Sequence, residues 1–113
     1  MEKRNKTRRH TITPMRVYNA VSGELTGRVE NITADGMKLI STSSLEPGKT
    51  YTLRMELPES LPDRNKMIVR ARAVWCRNED PFGFHDVGME FVDLDERDRE
   101  TIERPLTHYL FQD

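Results

Sequence analysis

Six short runs of alternating apolar and polar residues, each closed by a turn signal, constrain this chain more than any other feature. From Tyr51 to Glu56 the alternation is strict, with Tyr51, Leu53 and Met55 on one parity and Thr52, Arg54 and Glu56 on the other. A period of two sets one group against a core and the other in water, the pattern of a half-buried strand. Between Met67 and Cys76 the parity of Val69, Ala71, Ala73 and Trp75 is apolar throughout, which predicts a long strand with those four side chains facing inward. Ile12, Met15, Val17 and Tyr18 predict a first strand entered near Pro14, a residue tolerated at strand starts. Leu25–Ile32, marked by Val29 and Ile32, the alternating Met37–Ser41, and Phe84–Val92 supply the remaining strands. Between them stand Val21-Ser22-Gly23-Glu24, Thr33-Ala34-Asp35-Gly36, a polar loop closed by Pro47-Gly48, and a charged loop from Pro58 to Lys66. Six short strands with such turns favour a closed or nearly closed antiparallel β-barrel over an open sheet.

After Val92 the pattern changes period. Asp93 to Asp98 carries the acids that cap and electrostatically suit a helix N-terminus. Leu94, Ile102, Leu106, Tyr109 and Leu110 then fall roughly on one helical face. Pro105 interrupts that face and predicts a kink, or two short helices, near Arg104. The expected organisation is one all-β domain with a terminal helix: a flexible basic arm over 1–10, a barrel over 11–92, and a helix over 93–113 packed on the barrel.

Several function classes find no support in the residues. No apolar run is long enough for a membrane span or a secretory signal, and the lone Cys76 cannot form an internal disulfide, which fits the cytoplasm. His10, His85 and His108 are far apart, and no His-x-x-x-His, Cys-x-x-Cys or Gly-x-Ser-x-Gly spacing suggests a metal site or an enzyme. The acids near the C-terminus alternate with Arg97, Arg99 and Arg104, as on a solvated, salt-bridged face. Cys76 reads as an inert thiol. The methionines read as core fillers, with Met1 excepted and Met37 left open.

The net charge of −1 conceals a basic run, Lys3-Arg4-Asn5-Lys6-Thr7-Arg8-Arg9-His10. A solvated tail accounts for such a run as well as a ligand site does. The ligand reading rests on Arg4 and Arg8, four apart, whose planar guanidinium groups can fork onto phosphate oxygens or stack on a purine. Asn31 and Thr33, two apart on a strand, point the same way and offer an amide and a hydroxyl to a base edge. Gly36 leaves room for a ring to approach the backbone.

Arg4-x-x-x-Arg8 followed by Asn31-x-Thr33-x-x-Gly36 on a β scaffold resembles the PilZ domain, whose two motifs are Arg-x-x-x-Arg and Asp/Asn-x-Ser-x-x-Gly. The resemblance extends to Leu45-Glu46-Pro47-Gly48, Arg70–Trp75 and Val87–Phe91, almost the whole chain. It implies a six-stranded barrel and a bacterial, non-enzymatic receptor for cyclic di-GMP, which the family often binds as an intercalated dimer. By motif position Arg4 and Arg8 would take phosphate and guanine faces, and Asn31 and Thr33 guanine edges. Gly36 would give backbone access, with Lys3 and Arg9 as flanking candidates for phosphate. Such an effector would signal to an unknown downstream protein. The chain departs from the motif at Thr33, where threonine keeps the hydroxyl of serine but adds a methyl. The alternative is a PilZ-like interaction adaptor that binds no nucleotide. A nucleic-acid binder is disfavoured because no Phe, Tyr or Trp interleaves the basic residues of 1–16.

Overall fold

The computed structural model describes residues 10–11, 15–58, 64–78, 80–106 and 111–112. Its strands are β1 (His10–Thr11), β2 (Arg16–Asn19), β3 (Leu25–Ile32), β4 (Gly36–Ser41), β5 (Thr50–Glu56), β6 (Lys66–Arg77), β7 (His85–Val92) and β8 (Phe111–Gln112). Six of them close into a barrel in the order β2-β3-β4-β7-β6-β5, every pair antiparallel. The short β2 makes the closure, with Val17 opposite Gly27 of β3 on one side and Met55 of β5 on the other. Closure leaves no barrel strand with an unpaired edge, which a meander of this length would otherwise expose.

The alternation seen in the sequence fills the interior. Met15, Val17, Val29, Leu39, Leu53, Met55, Met67, Val69, Ala71 and Val87 are buried there. Met37 joins them, so its place in the core is settled by the inward phase of β4. The β2–β3 turn is held by its own polar groups: Asn19 Oδ1 accepts from the amides of Val21 and Ser22 at 2.8 and 3.0 Å. Gly23 takes the positive φ of +81° that the reversal needs.

A register shift lies between Val17 and Tyr18 in the β2–β3 pairing, and two β-bulges break the alternation elsewhere. One lies in β3 between Val29 and Asn31, and it explains why Val29 and Ile32, three apart, are both buried. The other lies in β6 between Ala73 and Trp75. The expectation that Trp75 faces the core with Val69, Ala71 and Ala73 is therefore corrected. The extra residue flips the parity, so Cys76 packs against the core while Trp75 turns to the outer surface opposite Gly88.

Helix α1 (Glu96–Thr101) is capped by Asp95, whose Oδ1 accepts from the Asp98 amide at 2.8 Å. It gives way at Ile102 to a π-helical turn, Ile102–Leu106. Pro105 cannot donate to the Thr101 carbonyl, so the regular ladder ends about one turn before it. Ile102 is fully buried and Leu94 packs against the core, which fixes the segment to the barrel. Arg64 Nη1 adds a bond of 2.8 Å to Asp98 Oδ1 and one of 3.2 Å to Thr101 Oγ1. Helix does not continue to the end of the chain: Phe111 and Gln112 are extended and pair with Thr11 and His10. Ile12, Pro14, Tyr109 and Leu110 lie outside the described residues.

Candidate ligand-binding groove

The turn after β3 is built to present a surface. The Thr33 amide donates to the Gly36 carbonyl at 2.8 Å, and the Asp35 amide donates to Thr33 Oγ1 at 3.2 Å. The Phe91 amide then donates to the Asp35 carbonyl at 3.0 Å, which ties the turn to β7. Gly36 stands opposite Glu90, and a Cβ there would run into the Met89 carbonyl oxygen. Its glycine is thus needed for strand-to-strand contact, and positive φ plays no part, since only Gly23, Gly48 and Gly83 adopt it among the described glycines.

Beside this turn lies an open groove of about 370 Å³, within the size range of small-molecule sites. Asn31, Thr33, Asp35, Gly36 and Lys38 line one side. Val74, Trp75, Gly88 and Glu90 line the other. Three residues predicted from the sequence, Asn31, Thr33 and Gly36, are brought together here. Each bulge re-aims a side chain toward this groove, Asn31 just after the first and Trp75 just after the second.

The indole lies over Gly88, where any side chain would overlap its ring, and the Arg77 guanidinium sits 4.6 Å from the ring centroid. Lys38 pairs with Glu30 at 3.2 Å, and Arg72 pairs with Glu90 at 2.7 Å. Those pairs leave the described lining with mixed charge, so it offers polar edges and apolar walls but no surplus of positive charge. Asn31 is exposed, and its side-chain amide has no hydrogen-bond partner among the described residues. Trp75, Lys38 and Glu90 were not expected at a site. Gly88 opposite the only tryptophan is the sequence signal that bears on Trp75, once the bulge is known.

Arg4, Arg8, Lys3 and Arg9 lie outside the described residues. The Val29 amide donates to the Met15 carbonyl at 2.9 Å and Arg16 stands opposite Arg28, so β2 is entered from the end of β3 that carries Asn31. β1 packs beside β3 as well. Arg8 is two residues before His10, a contour of about 7 Å, and Arg4 six before it, about 20 Å.

The PilZ domain model matches residues 2–108. No curated protein matches the chain. Among solved structures the chain is similar to the PilZ domain with c-di-GMP of YcgR from Escherichia coli, at TM-score 0.67 and 8% identity, over 90% of this chain and 88% of that one. It is also similar to the Bacillus subtilis inhibitor of motility MotI/DgrA, at TM-score 0.70 and 16% identity, over 96% of this chain. The match spans 51% of the MotI/DgrA chain, about half its length. With a family model covering nearly every residue and a barrel of the matching topology, the chain belongs to the PilZ domain family.

Proposed function

We propose that this protein is a cyclic di-GMP effector, whose groove beside the Thr33–Gly36 turn holds the nucleotide and whose Arg4 and Arg8 close over it. The observation that carries the reading is the meeting of Asn31, Thr33 and Gly36 with Trp75 in one groove at the end of the barrel where the chain enters β2. The division of labour is chemical. A cyclic dinucleotide carries two phosphates and two flat, polar-edged purines. The groove supplies at Asn31 a side-chain amide unpartnered among the described residues and an aromatic wall at Trp75, and base–aromatic stacking is sequence-tolerant but strong. The Thr33 hydroxyl oxygen already accepts from Asp35, so its proton is the part that can reach a guanine acceptor.

Neutralising the phosphates falls to the arm, because Lys38 and Arg72 are engaged by Glu30 and Glu90. Arg4 and Arg8 would fork onto phosphate oxygens or cover guanine faces, with Lys3 and Arg9 beside them. Binding would couple the conformation of residues 1–10 to occupancy and present a new surface to a partner protein. This is a binding role in the cytoplasm of a bacterium, with no catalytic step.

Trp75 is the only tryptophan in the chain, so its emission reports on the groove directly. Titration with cyclic di-GMP is expected to change Trp75 fluorescence saturably, and Asn31→Ala is expected to weaken the response. A flat titration, or one that Arg4→Ala and Arg8→Ala leave untouched, removes the proposal.

A further inference from the structure

A second concavity, of about 360 Å³, opens on the outer face of the barrel, nearer the opposite end of the β3–β4 hairpin. Its apolar wall is Leu25, Ile40 and Phe84, with Leu25 and Phe84 respectively 47% and 43% exposed. Phe84 is held in place: its amide donates to Asp80 Oδ2 at 3.1 Å, and the Gly83 amide to the Asp80 carbonyl at 3.0 Å. At the rim stand Arg16 and Arg28, directly opposite one another on β2 and β3 and both exposed. Neither makes an ion pair or a side-chain hydrogen bond among the described residues. The next residue along the same cross-strand ladder is apolar Ile40, and Asp86 comes only beyond it. Like charges directly opposite on neighbouring strands repel and destabilise the sheet. A pair of arginines without an ion pair among the described residues, beside a partly exposed aromatic, is thus an arrangement the described barrel does not need for itself.

We infer that this groove docks an acidic peptide segment of a partner protein, with a carboxylate held between Arg16 and Arg28 and an adjacent large apolar side chain seated against Leu25, Ile40 and Phe84. Charge complementarity selects the anion, and two guanidinium forks suit a carboxylate. A free anion would leave the apolar wall without a role. The concave shape, sized for a side chain or two, favours a peptide over a flat lipid surface. Because the barrel is closed, the segment cannot add as an extra strand and must be recognised through its side chains. This partner site does not depend on the nucleotide reading, since it uses none of the residues of the first groove.

The test is a nuclear magnetic resonance titration of the full chain with a blocked peptide of sequence Asp-Glu-Phe-Leu-Glu, carried out without nucleotide. Amide signals of Arg28, Ile40, Thr42 and Phe84 are expected to move and saturate, while that of Asn31 stays still. A peptide with Asn and Gln in place of the acids is expected to bind about tenfold more weakly or worse, the loss of charge-assisted contacts. Arg16→Glu combined with Arg28→Glu is expected to abolish binding of the acidic peptide and to admit a lysine-bearing version instead, and the unmoved Asn31 signal shows that the variant remains folded. No saturable shift, equal binding of the neutral peptide, or normal binding by the double variant overturns the inference. So does movement of these signals by phosphatidylglycerol vesicles but not by the peptide, which would make the occupant a membrane.

Discussion

Replacing Gly36 by alanine separates two reasons for a glycine at that position. An ideal Cβ at Gly36 overlaps the Met89 carbonyl oxygen and lies 3.0 Å from the Glu90 Cα and 3.1 Å from the Met89 carbonyl carbon. All three neighbours are backbone, so no side-chain rotation relieves the contact, and β4 must part from β7 at the Gly36–Glu90 pair. Overpacking of this kind costs about 1–3 kcal/mol, and the Phe91-to-Asp35 hydrogen bond of 3.0 Å is strained with it, adding about 1 kcal/mol. A total of about 2–4 kcal/mol corresponds to a fall in Tm of about 8–17 °C for a domain of this size. Gly23→Ala is the control, because Gly23 has φ +81° but open space around it, and its cost is backbone strain alone, about 1–2 kcal/mol. Urea unfolding of both variants, with m unchanged, reads the difference. If Gly36→Ala is no more destabilising than Gly23→Ala, the steric account of Gly36 is wrong.

Three further outcomes follow from the same contacts. The Arg64–Asp98 pair, 2.8 Å apart with side chains 16% and 12% exposed, leaves an uncompensated, mostly buried charge when broken, so Asp98→Ala is expected to cost about 3 kcal/mol in urea unfolding; a cost below 1 kcal/mol would make the pair incidental. Trp75→Ala is expected to weaken cyclic di-GMP binding by about 1–3 kcal/mol in calorimetry; an unchanged affinity would remove Trp75 from the site. Arg16→Glu replaces a repulsion opposite Arg28 by an attraction, and is expected to raise stability by about 0.5 kcal/mol, or a few degrees in Tm; a fall in Tm would show that the two arginines are not opposed in solution.

The barrel was legible because its strands obey a local rule. Tyr51 to Glu56 and Met37 to Ser41 keep strict alternation, and their buried sets are Leu53 and Met55, and Met37, Leu39 and Ser41. Asn31, Thr33 and Gly36 were legible as a motif, whereas the close contact that Gly36 makes across the sheet was not. Its neighbour across the gap is Met89, fifty-three positions away in sequence, and no local pattern carries that contact. Trp75 was misplaced for a related reason. A bulge is one residue of slip against a partner strand, and a reading of β6 alone keeps counting in twos through Val74. The spacing of Val29 and Ile32 did carry such a signal for β3, since two buried residues three apart cannot share a face of a regular strand. The extended Phe111–Gln112 was hidden by an apolar spacing that also suits a helix, and only its pairing with His10–Thr11 decides between them.

Isothermal titration of the intact chain with cyclic di-GMP tests the central claim most directly. Saturable heat is expected, with one nucleotide per chain or two if an intercalated dimer binds, and its loss in Arg4→Ala and in Arg8→Ala with the barrel still folded. No heat at about 100 μM nucleotide, a concentration at which sites of even modest affinity fill appreciably, would contradict it and leave the adaptor that binds no nucleotide.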